Sequence, residues 1–520
     1  MRRIVCLIGL LALLSGALPN AAAAQGHRSF DHTVTNPDDG TEIALTVFQP
    51  AGATAAAPVP VVLHSHGWAG SRETDPGGAV EPYLDAGFGV VSFDQRGHGE
   101  SGGQAHVQDP TRETEDVKAV IDYVATLDWV RVEAPNDPVL GAIGGSYGGG
   151  YQTMTSLDEI ADEGRTRFDA LAPQITWYDL PESLAPQKVV RTAWVAALYA
   201  AGSQMVPQHV HEAFVWGSAT GQWPDGTLYD QPAPGAPDID SVFAQNSPRA
   251  FVERGIRIDV PMLLRQGASD NLFDLNEGLK IFERALTDRA RAQSYFVSYN
   301  GGHALPNAVP PGEPADVQAG GGVDACTDFT KTTIAFFERV FSGRSTARLL
   351  PARYNFTAVD GETCLRLPAL GKGKKVAVEP AGGAIATTAA AGAPLQLEVA
   401  QGPLTLAGVP ELSGKVTSAA LDGRAFFGLA IGTTPADARV VQNNLLPLRR
   451  AVPVADSEFE IELPGVAAEV AEGENLYLTV TPFSDLFFGH GSRAPGALVL
   501  TDVSLELPVR GCPAKGRACR

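Results

Sequence analysis

Three side chains in this sequence stand where acyl transfer needs a nucleophile, a base and an acid. Ser146 is the apex of the stretch VLGAIGGSYGGGY at 139–151, in which an apolar run halts at Gly144-Gly145-Ser146-Tyr147-Gly148 and small residues lead into a helix. The G-x-S-x-G spacing has a steric cause. A serine on a sharp strand-to-helix turn sits in a strained backbone conformation, and side chains at the flanking positions would collide with the neighbouring strand and helix. Asp270 follows a second apolar run, 260–266, directly in the turn Gly267-Ala268-Ser269-Asp270. His303 follows a third, 293–299, after Asn300-Gly301-Gly302. A serine hydroxyl becomes a useful nucleophile only when a base takes its proton, and a carboxylate is what holds an imidazole in the tautomer that can do so. The chemistry to expect is cleavage of an ester or amide carbonyl through an acyl-enzyme that water then resolves.

A developing oxyanion needs donors, and the turn after an early strand is one place to find them. The run at 59–63 ends in His64-Ser65-His66-Gly67-Trp68. Backbone N–H groups of Trp68 and of Tyr147, the residue after the serine, are the candidates for that hole. Other polar residues nearby read as scaffold. His64 and His66 suit loop histidines bonded to backbone, and Asp94 and Arg96, directly after the strand at 88–93, suit a hydrogen-bonded turn. His98 precedes the serine in the chain, the wrong order for a base in this arrangement. Asp274 is a rival carboxylate, but only Asp270 lies in the turn itself.

These residues need a rigid frame, and the chain supplies alternating elements to build one. Residues 33–50 read as a strand pair around Asp39-Gly40. Strands at 59–63, 88–93 and 139–143 alternate with helices near 82–86 and 114–127, the latter apolar at Val117, Val120, Ile121 and Val124. Apolar strands alternating with amphipathic helices specify a mostly parallel sheet buried on both faces, and the order Ser146, Asp270, His303 is that of the α/β-hydrolase fold. From about 179 to 254 the strand rhythm breaks into helical stretches, with aromatics gathered in and just before it (Trp177, Tyr178, Trp194, Tyr199, Trp216, Trp223) and a proline loop at 232–237. An insertion there sits over the C-terminal ends of the strands, where ligands bind in open α/β sheets, so it reads as a helical cap. A helix at 328–341 closes this part. From 348 onward short alternating runs separated by Gly, Pro, Asp and Asn replace the helix patterns, as in an all-β sandwich or jelly roll.

The whole chain limits its class. At 520 residues it exceeds a single hydrophobic core, and a formal charge of −20 excludes the basic patches that nucleic acid requires. Arg2-Arg3, an apolar run at 4–18 and alanines at 21–24 read as a signal peptide cleaved near Ala24, implying a secreted or periplasmic protein with no membrane contact once the leader is gone. The expected division is leader 1–24, α/β-hydrolase domain 25–347 and β-sandwich 348–520. Cys326, Cys364, Cys512 and Cys519 remain after the leader. Three pairings are open, and sequence proximity favours Cys326 with Cys364 and Cys512 with Cys519. No metal is implied, since no C-x-x-C or histidine pair accompanies these cysteines, and no cofactor is needed.

On these residues the chain resembles the X-prolyl dipeptidyl-peptidase and cocaine esterase family of serine hydrolases. The points of contact are Gly144-Gly145-Ser146-Tyr147-Gly148-Gly149, Asp94-x-Arg96-Gly97 with Ser101, Gly267-x-x-Asp270, Gly302-His303, and a β-rich tail after a helical cap. The resemblance implies a jelly-roll domain beside the catalytic one and cleavage of amides or esters of small molecules or peptides. One position departs from it. The family commonly places a tyrosine after the early strand to donate its hydroxyl to the oxyanion, and this chain has Trp68. The leading expectation is an X-Pro dipeptidyl-peptidase-like peptidase, which needs an anion in the cap for the substrate amine, with Glu182, Glu212 and Asp225 as unranked candidates. A carboxylesterase acting on small or polymeric esters needs only an apolar acyl pocket. A third possibility is a surface or polymer binding protein whose hydrolase domain is vestigial.

Overall fold

A computed structural model describes residues 26–303, 324–378, 385–388, 394–489 and 497–510. The expected leader with its Cys6, and the expected Cys512–Cys519 pair, lie outside these residues. Among the described residues no helix is long and apolar enough to cross a membrane.

The frame is a ten-stranded sheet. Its strands in chain order are β1 Arg28–Thr35, β2 Glu42–Gln49, β3 Val61–Ser65, β4 Gly89–Phe93, β5 Leu140–Gly145, β6 Ala170–Gln174, β7 Leu263–Gly267, β8 Tyr295–Tyr299, β9 Tyr354–Thr357 and β10 Cys364–Leu367. In space they run β1-β2-β4-β3-β5-β6-β7-β8-β9-β10. Strands β3 to β9 pair in parallel, while β1, β2 and β10 join antiparallel. This is the order of an α/β-hydrolase sheet. Period-two alternation explains why both faces are buried. Val61 and Leu63 of β3 point into one core with Val117, Val120, Tyr151 and Met154, whereas Val62 points into the other with Leu84, Phe336 and Phe337. Helices α1 Glu81–Asp85, α2 Glu113–Thr126 and α3 Tyr147–Glu163 supply most of that cover, with a later helix, Phe329–Phe341, on the second face.

Between β6 and β7 five helices form the cap: α4 Leu180–Leu184, α5 Thr192–Gly202, α6 Gln208–Thr220, α7 Ile239–Gln245 and α8 Pro248–Glu253. The far edge of the sheet differs from expectation. Strands β9 and β10 lie beyond the expected division at 347/348, and β9 runs parallel to β8. We therefore propose that the division between the two parts falls after Leu367. A disulfide joins Cys326 to Cys364 at the start of β10.

Apart from Leu404–Gly408 and Val466–Val470, which pair as a separate two-stranded sheet, most of the later strands form two antiparallel five-stranded sheets. One is built on Glu411–Ser418, Val454–Glu462 and Ala497–Leu507, the other on Leu395–Gln401, Gly423–Gly432 and Asn475–Thr481. Alternate residues of each meet in a common core, Leu412, Val416 and Leu500 from one and Phe427, Leu429 and Leu478 from the other, which is the packing of a β-sandwich.

The turn after β4 is held by buried ions. Arg96 donates from Nε and Nη2 to both oxygens of Asp116 on α2 at 2.8 and 2.7 Å, and from Nη1 to Asp39 and Thr41 in the β1–β2 turn. Asp94 is fully buried and accepts from the backbone and guanidinium of Arg72 and from the N–H of Glu100. Both are structural, as the sequence suggests. Breaking a buried pair leaves a charge without compensation, so Arg96→Met is expected to lower the unfolding free energy by about 3–5 kcal/mol. A urea unfolding titration checks this, and a change within 1 kcal/mol would be inconsistent with a buried Asp116 that depends on Arg96.

Candidate active site

Ser146 sits between β5 and α3 with φ 58° and ψ −121°, a conformation costly for a residue with a side chain. The surrounding backbone leaves no alternative. A Cβ at Gly148 would lie 2.3 Å from the Ser65 carbonyl oxygen, and one at Gly144 would lie 2.4 Å from the Gly148 carbonyl oxygen. The serine N–H donates to the Gln174 carbonyl at 2.9 Å, which ties the elbow to β6.

The turns after β7 and β8 bring the other two residues to it. His303 Nε2 lies 2.8 Å from Ser146 Oγ, and its Nδ1 lies 2.7 Å from Asp270 Oδ2. The same carboxylate oxygen accepts the His303 backbone N–H at 3.0 Å, while Oδ1 accepts from the N–H groups of Leu272 and Phe273 at 3.0 and 2.8 Å. Four donors thus hold one fully buried carboxylate. The rings of Phe273 and Trp194 stand edge-on to the imidazole, with centroids 5.2 and 5.8 Å away. Asp274, the rival carboxylate, is paired instead with Arg191 at 2.9 Å.

Of the oxyanion candidates, Tyr147 adjoins the serine in the chain and Trp68 follows a glycine that lies against it. That glycine is Gly67, where a Cβ would lie 3.6 Å from Ser146 Cβ. Tyr147 opens α3, where an N–H has no partner within its own helix. Among the described residues nothing accepts from the backbone N–H of Trp68 or Tyr147. The indole of Trp68 points elsewhere. Its Nε1 donates to the Leu198 carbonyl of α5 at 2.9 Å, and a Cβ at Gly202 would fall 2.3 Å from the ring. The indole N–H of Trp68 is therefore engaged by the cap, and its ring lines the pocket beside the serine.

Three histidines cluster beside this loop. His66 Nε2 accepts the Gln95 N–H at 3.1 Å, which leaves Nδ1 to donate to the Gly67 carbonyl at 2.8 Å. His64 Nδ1 meets Ser92 Oγ at 2.8 Å, and His98 Nδ1 meets the Arg96 carbonyl at 3.0 Å. Burial lowers the basicity of all three, His64 and His98 to about 4. Neutral imidazoles here brace the loop.

Beside Ser146 lies a cavity of about 310 Å³, walled by Trp68, Tyr147 and Trp177 from below and by Leu198, Phe214 and Trp223 of the cap. No Asp, Glu, Lys or Arg is among the described residues that line it. The three acidic candidates lie elsewhere. Glu182 faces a separate cleft towards the β-sandwich, where burial pushes its carboxyl up to about 7. Asp225 pairs with Lys188 at 2.6 Å, and Glu212 is exposed beside Gln208. The one acidic trio close enough to suggest a cation site among the described residues is Glu115, Asp158 and Asp162, and Lys118 Nζ already sits 2.7, 2.8 and 3.1 Å from their oxygens.

Residues 39–304 match the family model described as X-Pro dipeptidyl-peptidase (S15 family). The chain belongs to this family. Membership of the S15 family makes it a hydrolytic enzyme, a peptidase or an esterase. Among solved structures, the S15 chain is similar to a CocE/NonD family hydrolase from Staphylococcus aureus, 13% identical with a TM-score of 0.61 over 92% of this chain and 93% of that one. It is also similar to an aminopeptidase from a Thaumarchaeota archaeon, 13% identical with a TM-score of 0.60 over 95% and 99% of the two chains. An alpha-amino acid ester hydrolase matches at 14% identity and a TM-score of 0.60 over 95% and 98%. At such identities the likeness is one of fold. Two uncharacterized proteins of Escherichia coli are 28% identical over 127 residues and 32% identical over 109, about a quarter of this chain or less. The matched part spans 40% and 35% of the length of those curated relatives.

Sequence reasoning missed the contacts that lock the cap of this S15 hydrolase over its site. Gln222, at the edge of the cavity, donates to Asp422 of the sandwich at 2.9 Å and accepts from Arg449 at 3.0 Å. Arg191 donates to the Asn271 carbonyl at 2.6 Å, and Trp194 Nε1 to Asn271 Oδ1 at 2.7 Å. Only Arg191 left a trace in the sequence, as a lone charge at the head of the uncharged run that becomes α5.

Proposed function

We propose that the chain is a serine esterase that hydrolyses carboxylic esters with apolar acyl chains. Ser146 attacks the ester carbonyl while its proton passes to His303 Nε2. Asp270 holds the proton of Nδ1 and balances the imidazolium, and the N–H groups of Trp68 and Tyr147 face the oxyanion. The C–O bond to the alcohol then breaks, and His303 returns the proton to the departing oxygen. Water repeats the sequence on the acyl-enzyme and frees the acid. The chemistry rests on the contacts of 2.8 and 2.7 Å from His303 to Ser146 and Asp270.

The observation that carries the substrate class is the uncharged cavity beside the serine. An apolar chain gains by entering it, whereas the ammonium of a dipeptide would lose its hydration without a counter-ion. The description of the matched family favours the second reading, an X-Pro dipeptidyl-peptidase, which requires an anion within reach of the substrate amine. A substrate panel separates the two. Each buried methylene contributes roughly 0.8 kcal/mol, so kcat/KM for p-nitrophenyl esters is expected to rise about fourfold per carbon from acetate to butyrate. Ala-Pro p-nitroanilide is expected to turn over far more slowly than the butyrate. A higher kcat/KM on the anilide would establish the peptidase instead.

We also propose that the mature chain begins near residue 25 and works outside the cytoplasm. The charged start and apolar run at 1–24 support export, and the bond between Cys326 and Cys364 suits an oxidising compartment.

A further inference from the structure

The turn that carries Asp270 is gripped from two sides by parts of the chain outside the catalytic sheet. The Asn271 carbonyl faces the cap and accepts from Arg191, while the Asp270 carbonyl faces the sandwich and accepts from Asn444 Nδ2 at 3.0 Å. Both Asn444 and Asp270 are buried, at 3% and 0% exposure, so neither group has water as an alternative partner. Asn444 Oδ1 accepts from no described residue, which leaves donation to Asp270 as the use this amide serves. Its position is fixed from its own side. Leu445 packs with Phe426, Phe487 and the cap residue Val189, and Gln442 Oε1 accepts the Ala467 N–H at 3.0 Å.

We infer that Asn444 is a positioning residue for the hydrolysis, by which the β-sandwich sets the angle of the Asp270 peptide and, through the carboxylate, the tilt of His303. The inference rests on the reading of Asp270 as the acid of the site. The N–H of the same peptide, that of Asn271, donates to the His303 carbonyl at 2.9 Å, so a plane that loses the Asn444 donor pivots about its bond to His303. Asp270 Oδ2 receives both Nδ1 and the backbone N–H of His303, so the rotation is passed to the imidazole and alters its approach to Ser146 Oγ. A misplacement of about 1 Å at a reacting group costs on the order of 10² in rate. Asn444 does not line the cavity, so substrate affinity has no reason to change with it.

The test uses the full chain and a p-nitrophenyl butyrate assay. Asn444→Leu, which keeps the shape and removes the donor, is expected to lower kcat by about 30- to 100-fold while KM stays within about twofold. It is also expected to shift the downfield proton NMR signal of His303 Nδ1–H. If the leucine does not fold, Asn444→Ser, smaller and too short to reach, carries the same expectation. The control is Asn276→Ala, which breaks another buried contact between the same two parts, donation to the Leu463 carbonyl and acceptance from the Gly465 N–H, and leaves the Asp270 turn alone. It should lower stability with kcat unchanged. A folded Asn444 variant with kcat within threefold of the unmodified enzyme would overturn the inference, as would an equal loss in Asn276→Ala. Asp270→Asn, assayed alongside, keeps the two readings apart: full activity there would sink the role of Asp270 itself, whatever Asn444 does.

Discussion

Ser146→Ala is expected to lower kcat for ester hydrolysis by about six orders of magnitude and to leave the fold unchanged. The size follows from the mechanism, because without the hydroxyl no acyl-enzyme can form. What remains is water attack on a carbonyl held against the donors of Trp68 and Tyr147. The fold should persist because alanine keeps the Cβ and the φ of 58° that the elbow already tolerates, and the serine N–H still bonds the Gln174 carbonyl. Circular dichroism and the unfolding midpoint should match those of the unmodified protein, and a fluorophosphonate should label only the latter. A variant that retains a tenth of the turnover would show that the nucleophile lies elsewhere.

Asp270→Asn is expected to cost about four orders of magnitude in kcat near neutral pH, for a reason that can be read from its four hydrogen bonds. An asparagine there has one oxygen and one amide nitrogen to place. The N–H groups of Leu272 and Phe273 demand the oxygen at the Oδ1 position. The amide nitrogen must then face His303, where it meets Nδ1 and the backbone N–H. Two donors cannot satisfy each other, so the imidazole moves its proton to Nε2. In that tautomer it can no longer accept from Ser146. The predicted signature is a loss of kcat with KM little altered, in contrast to a cavity variant, which would change KM. Activity within tenfold of the unmodified enzyme would remove Asp270 from the mechanism.

How much of this was legible in the sequence depended on whether the signal was local. Ser146, Asp270 and His303 each follow directly on a short apolar run, so their placement at strand ends could be read without knowing what lay between. The same holds for β3 to β5, whose short apolar runs, Val61-Val62-Leu63, Val90-Val91 and residues 140–143, announce a sheet covered on both faces. Strand β9 failed for the opposite reason. YNFT is as short and as apolar as the sandwich strands that follow it, and only its parallel pairing with β8 assigns it to the catalytic sheet. The acidic residues of the cap could not be ranked because nothing local distinguishes Asp225, bound to a lysine, from a residue lining a cavity. Asn444 is further still from view, since it lies 174 positions from its partner, in the connection between a helical turn at Val441–Asn443 and the strand Leu446–Arg450.

The bond from the Trp68 indole to the Leu198 carbonyl, with Gly202 beneath the ring, has a consequence for engineering. Replacing residues 179–254 with the corresponding segment of another hydrolase would transplant a roof without its anchor unless the graft carried a free carbonyl at the position of Leu198 and a residue with no side chain at that of Gly202. A chimera lacking either would have to displace the indole, and the loop that begins at Gly67 would shift with it. Chimeras of this enzyme are best joined so that helix α5 and the loop after β3 come from the same parent.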